Sequence, residues 1–172
     1  MVIRHMQTAD VAQVAGIIGK TPLWHRYGID VAKATDIVSG ALSDAELDPH
    51  HSFCIVAEDE LGRVIGFAWV LLKGCFGRSG YLKLIGVREH MRGRGVGKRL
   101  LDAAEQKVLE SGPDMFLLVS SFNEHAIRFY EAMGYERCGI IRDYVVRGID
   151  EMLYRKRLGV VAPRSRQEND PM

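Results

Sequence analysis

With 172 residues, 47% hydrophobic and 26% charged, the chain has enough material for one domain with a real core, and its net charge of +1 argues against a dedicated nucleic-acid binder. Three cysteines, odd in number and far apart, predict neither a disulfide framework nor a zinc site, and the histidines form no metal-binding pattern. No apolar run is long enough to cross a membrane and MVIRHMQTAD lacks the apolar core of a signal peptide, so the expectation is a cytoplasmic protein without membrane partners.

In chain order, VIRHM reads as a short strand. The helix after it, TADVAQVAGIIGK, places Val11, Val14, Ala15 and Ile18 on one face, with Thr8 or Asp10 as N-cap. TPLWHRYG interrupts, with Pro22 and Gly28 as breakers. A second helix is predicted from about Ile29 to Ser43, with Val31, Ala34, Val38, Ala41 and Leu42 inward. SFCIVAED and RVIGFAWVLLKG are strands joined by a turn at DELGR, and GYLKLIGV is another. A glycine-rich turn then opens a helix that ends at ESGP. MFLLVSS, almost wholly apolar, predicts a strand covered on both faces. Asn123 is the expected N-cap of a helix ending at Gly134, and YERCGIIRDYVV and DEMLYRKRL are the closing strands. The order β-α-α-β-β-β-α-β-α-β-β implies an α/β protein with a mixed sheet and helices on both faces, residues 1–158 forming one domain and 159–172 a flexible tail.

The turn, REHMRGRGVGKRLL, fits neither of two common phosphate motifs. A Walker A loop requires glycine at Arg92 and Ser or Thr at Arg99, and a dinucleotide fingerprint requires glycine at Lys98. What remains is Arg92, Gly95 and Gly97 in an R-x-x-G-x-G pattern between a strand and a helix. Such a turn is an anion cradle: glycines let the backbone approach a phosphate, and unpaired N–H groups at a helix start point at it. The helix dipole adds roughly 0.3–1 kcal/mol.

LIGVREHMRGRGVGKRLL followed by NEHAIRFYEAMGYE resembles the GNAT superfamily of acyl-coenzyme-A-dependent N-acyltransferases. The resemblance implies acetyl-coenzyme A as co-substrate, no metal, and a sheet splayed around the cofactor. It places Arg92, Gly93, Arg94, Gly95, Val96, Gly97 and Lys98 around the pyrophosphate, and backbone groups of Ile85, Gly86 and Val87 along the pantetheine arm. Gly86 also reads unaided as a bulge or a close approach. By the same resemblance Asn123 contacts the cofactor arm, Ala126 and Phe129 line its groove, and the Tyr130 hydroxyl protonates the departing thiolate.

One departure stands out. Many members carry a glutamate base on the strand before the glycine turn or before the asparagine, and YLKLIGV and MFLLVSS contain no carboxylate. Glu58, Glu124, Asp143 and a water relay are the alternatives, and an amine of lowered pKa needs little help. Family acceptors meet the segments that are PLWHRYG and RDYVVRGID here, which makes Trp24, Tyr27 and Asp143 the candidate acceptor residues, with Asp150 as a second acid. The leading expectation is direct acetyl transfer to a primary amine, a small one ahead of a protein N-terminus or lysine. A non-catalytic coenzyme-A-binding module is the alternative from another class. The sequence leaves oligomeric state open, a homodimer included.

Overall fold

In the computed structural model of the protein, which describes residues 1–159, the chain runs β1 (Val2–His5), α1 (Val11–Gly19), α2 (Pro22–His25), α3 (Val31–Leu47), β2 (Ser52–Glu58), β3 (Val64–Cys75), β4 (Ser79–Val87), α4 (Val96–Leu109), β5 (Asp114–Ser120), α5 (Glu124–Ala132), β6 (Glu136–Ile141) and β7 (Glu151–Arg157). The expected tail, apart from Gly159, lies outside the described residues. Seven strands form one sheet in the order β1-β2-β3-β4-β5-β7-β6. Among the described residues only β4 and β5 are parallel; the other neighbours are antiparallel.

The period-2 alternation of β2 sorts the core into two layers. Phe53, Ile55 and Ala57 join the cluster built with α4 and α5, while Cys54 and Val56 join the one built with α1 and α3. Helix α4 is amphipathic in the expected way: Val96, Leu100, Leu101, Ala104 and Val108 are buried. It can lie that close because Gly80 on β4 has no Cβ, which would meet Val108 Cγ1 at 2.5 Å. Burying side chains the size of Leu100 and Leu101 contributes roughly 1.5–3 kcal/mol each.

Several boundaries differ from the sequence expectation. Asp10 is the N-cap residue of α1, as one of the two expected, but its carboxylate accepts from Arg4 Nη1 at 2.7 Å and from Gln7 N–H rather than from the helix. PLWH is a short helix rather than a loop, and its N-cap Thr21 is tied to the end of α1 by N–H and Oγ1 bonds to the Ile18 and Ile17 carbonyls. Helix α3 begins after Asp30, which accepts from Lys33 N–H, so Val31 sits exposed in the first turn. It then runs past Ser43 to Leu47, because nothing breaks it before Pro49 forces Asp48 out of helical geometry. The predicted strand through Val146 stops at Ile141, where the chain turns through Asp143 at φ 51°.

Strand β5 is the instructive difference. Met115, Leu117 and Val119 are buried under the helices, but Phe116 and Leu118 are only half-buried. Helices α1 and α3 cover β2 to β4 and leave that face of β5 open.

Candidate active site

Strands β4 and β5 pair only from Gly80–Leu82 to Met115–Leu117. Beyond that they part, and a cleft of about 1360 Å³ opens between Leu82–Val87 on one side and Leu118–Ser120 on the other. Diverging strands leave backbone N–H and C=O groups facing the gap, which an extended polar ligand can satisfy. The β4 edge is shaped by a bulge at Lys83, between the pairs Trp69–Leu84 and Val70–Leu82. Lys83 Nζ lies 4.3 Å from the Trp69 ring centroid, and both side chains line the cleft. The bulge is thus not at Gly86. Gly86 serves a close approach, since a Cβ there would lie 2.5 Å from Phe67 Cε1 on β3.

At one end the cleft meets the glycine turn. Gly93 and Gly95 have φ of 73° and 78°, left-handed backbone in open space, so the glycines serve conformation rather than packing. Gly95 is the N-cap of α4 without a side-chain cap, and the first helical bond runs from Arg99 N–H to Gly95 C=O at 3.1 Å. The N–H groups of Val96, Gly97 and Lys98 are left for a ligand. Met91, Arg92, Gly93, Val96, Gly97 and Lys98 line this end together with Phe129. Arg94 is exposed and outside the lining, so its side chain departs from the expected cluster. His125 and Arg128, to which the sequence assigned nothing, are part of the wall. They sit one and four residues beyond the start of α5, and the charge of Arg128 is shared with Glu124 at 3.3 Å.

Midway stand Asn123, Ala126 and Tyr130. Asn123 Oδ1 caps α5 by accepting from Ala126 N–H at 3.2 Å, which leaves its amide N–H₂ as the group able to donate into the cleft. Tyr130 is buried among Phe129 and Tyr135, with ring centroids at 5.2 and 5.7 Å. Burial pushes its phenol well above the ordinary tyrosine range, so the proton is held at any neutral pH.

The far end is aromatic and acidic. Trp24 from α2 and Tyr27 just after it line the cleft, with ring centroids 6.4 Å apart, together with Tyr81 and Tyr144. Asp36 and Asp44 on α3 and Glu151 on β7 are its carboxylates. Tyr27 Oη donates to Glu151 Oε1 at 2.7 Å and lies against Ser120 Oγ. Glu151 is 4% exposed, and burial raises its carboxyl above the usual glutamate range, opposed in part by the Tyr27 and Ser120 hydroxyls. Burial likewise raises Tyr27 to about 12.

The acids named from sequence lie elsewhere. Asp143 is exposed in the β6–β7 turn, its Oδ1 accepting from Gly148 N–H at 2.5 Å, and Asp150 Oδ1 accepts from Asp143 N–H. Glu58 pairs with Arg4 at the opposite edge of the sheet. Glu124 pairs with Arg128 at the exposed start of α5. Glu151 lies in the predicted closing strand DEMLYRKRL, where nothing local in the sequence marks it for the site. Its signal is parity: Tyr154 faces the α4–α5 core, so a residue three positions earlier in β7 faces the other side, toward the cleft.

Comparison with known proteins fits this geometry. The model of the acetyltransferase (GNAT) family matches residues 21–135. An N-acetyltransferase of Bacillus subtilis is 31% identical over 141 residues, covering 79% of this chain and 90% of that one. Mycothiol acetyltransferase of Propionibacterium freudenreichii is 36% identical over 83 residues, which are 47% of this chain and only 27% of that protein. The chain thus spans about a quarter of that relative's length. An aminoglycoside 6'-N-acetyltransferase complexed with coenzyme A superposes with a TM-score of 0.77 at 16% identity, over 94% of this chain and 99% of that one. A seven-stranded mixed sheet split between β4 and β5, a left-handed glycine turn at the mouth of the split and these matches lead to one conclusion. The chain belongs to the GNAT family of acetyltransferases.

Proposed function

We propose that this protein transfers an acetyl group from acetyl-coenzyme A to a small primary amine, directly, with both substrates held in one cleft. The observation that carries the reading is the continuity of that cleft, from three open N–H groups at the start of α4, along the parted strands, to an aromatic and acidic end. Pyrophosphate suits the first, through Gly93 to Lys98 backbone groups and the charges of Arg92 and Lys98. An amide-bearing arm suits the strand edges at Ile85, Gly86 and Val87 and the Asn123 amide. A cationic amine suits the last, where Trp24 and Tyr27 offer ring faces and Asp36, Asp44 and Glu151 negative charge.

In this reading the bound amine attacks the thioester carbonyl carbon, and alignment of the two reactants supplies much of the rate. The carbon–sulfur bond breaks with its electron pair on sulfur. Tyr130, kept protonated by burial, gives its proton to that sulfur and regains one from the acylated nitrogen. No covalent acyl-enzyme is needed. Ala126 and Phe129 form the apolar wall beside the reacting centre.

The test incubates the protein with acetyl-coenzyme A and a panel of spermidine, kanamycin, phenethylamine and an alanine-initiated peptide, reading free thiol and acetylated product together. The expected result is product from at least one small amine, with equal thiol. Acetylation confined to the peptide moves the acceptor to proteins. Saturable coenzyme A binding with no product from any amine sinks the catalytic reading in favour of a binding module.

A further inference from the structure

Among the described acids only Asp36, Asp44 and Glu151 line the cleft, and only Glu151 is buried. It opens β7 directly opposite Ser120, the last residue of β5, so both side chains stand on the same face where the sheet has just split. Tyr27 reaches across from the turn after α2 to hold one of its oxygens. We propose that Glu151 is the general base of this site, with Tyr27 and Ser120 as positioning residues that fix its carboxylate beside the incoming amine. The inference rests on the acetyl-transfer reading and adds the proton acceptor that β4 and β5 themselves do not carry.

A carboxylate offers about four lone-pair sites. The two hydroxyls beside it supply two donors at most, so acceptor capacity remains for a group entering from the cleft. The amine arrives as an ammonium. Glu151 takes one of its protons, the freed lone pair forms the nitrogen–carbon bond, and the sulfur leaves with the pair of the broken bond. Protonated Glu151 then returns its proton to solvent through the cleft, leaving acetylated amine, coenzyme A thiol and one released proton. Burial supports the role, since a carboxyl raised toward neutrality is a stronger base than an exposed one. The groups around it do not undo this: Tyr27 and Ser120 set their hydroxyls on it, Tyr81 and Tyr144 line the same cleft, Asp36 and Asp44 stand on α3, and Arg26 is engaged at 4.2 Å over the Phe122 ring.

The test compares the parent with Glu151→Gln and Tyr27→Phe, using the panel amines that the parent acetylates, from pH 5.5 to 9.5. Glu151→Gln is expected to lower kcat/KM by roughly 10²–10³-fold and to abolish one ionisation from the acid limb, with coenzyme A affinity unchanged. Tyr27→Phe is expected to move that limb upward, because the lost hydrogen bond favoured the charged carboxylate. A Glu151→Gln protein with parental kcat/KM, or a limb that neither substitution moves, overturns the proposal while leaving acetyl transfer intact. If the parent acetylates no amine, the acetyl-transfer reading has failed, and carbon-13 carboxyl titration of Glu151 with and without spermidine decides the remainder. A raised midpoint that spermidine pulls down supports an amine docking on Glu151, and an ordinary or unmoved one overturns it.

Discussion

The two ends of the cleft are made of different material. The end at α4 is backbone: left-handed glycines, a helix start without a side-chain cap and the open N–H groups of Val96, Gly97 and Lys98. The other end is side chains, with Trp24, Tyr27, Ser120 and Glu151 gathered from four elements or turns across the whole chain. A backbone site tolerates many side chains but few changes of conformation. A side-chain site is the reverse, and it can be rebuilt for a new acceptor without touching the first.

That contrast can be broken at named residues. Between the two ends, at Tyr130, a substitution is expected to act on the chemical step alone. Tyr130→Phe keeps the packing against Phe129 and Tyr135 and removes only the hydroxyl, so kcat should fall roughly 10–10²-fold with coenzyme A affinity within a few fold. Steady-state kinetics under conditions where chemistry limits the rate would check this, and a full kcat would make Tyr130 a core residue. At the acceptor end, Trp24→Ala should raise the amine KM about tenfold, a loss of roughly 1.4 kcal/mol, and leave coenzyme A binding alone. A change confined to coenzyme A binding would place Trp24 at the wrong end.

A smaller effect concerns stability. The unfolded chain gives up the Glu151 proton near the ordinary value of about 4.3, whereas the folded protein holds it to higher pH. The folded state binds more protons in that window, so this group lowers stability as pH rises through it, and the penalty is complete above the raised value. Glu151→Gln cannot ionise, and its melting temperature should exceed the parent's at pH 8 while the two converge near pH 4. A thermal melt with the order reversed would mean that the carboxylate's hydrogen bonds outweigh its burial. The smallest effect is expected at Asp143, whose carboxylate serves its own turn. Asp143→Asn should leave both substrate constants within about twofold, the usual range for a surface change.

The same contrast explains what could be read from the chain. The glycine turn is contiguous, its residue types are forced by conformation, and its place between strand and helix follows from periodicity, so Arg92, Gly95 and Gly97 were legible as a candidate anion site. Asn123 was legible as the cap of α5, whereas a role for Tyr130 came only from the family resemblance of NEHAIRFYEAMGYE. Strand order and the half-buried face of β5 were not, because pairing is decided between distant segments, and the splaying of the sheet came only from the family resemblance. Glu151 was hidden doubly: its partners Tyr27 and Ser120 lie 124 and 31 positions away, and a carboxylate beside a turn is ordinarily solvated. Asp143 was the acid expected at the acceptor, yet it sits in a turn at φ 51° with its carboxylate accepting from Gly148 N–H. The bulge fell at Lys83 because glycine marks two different needs, and Gly86 answers the close approach of Phe67.

The central claim, a coenzyme A site built from backbone at the start of α4, is tested most directly by calorimetric titration of coenzyme A into the parent and Gly95→Asp at one salt concentration. Aspartate there strains a φ of 78° by roughly 1–2 kcal/mol and sets a negative charge among the N–H groups meant for a phosphate. The account predicts saturable one-to-one binding by the parent and a loss of about 10²-fold or more in the variant, with the fold retained by circular dichroism. A folded Gly95→Asp protein that binds coenzyme A as tightly as the parent would contradict it.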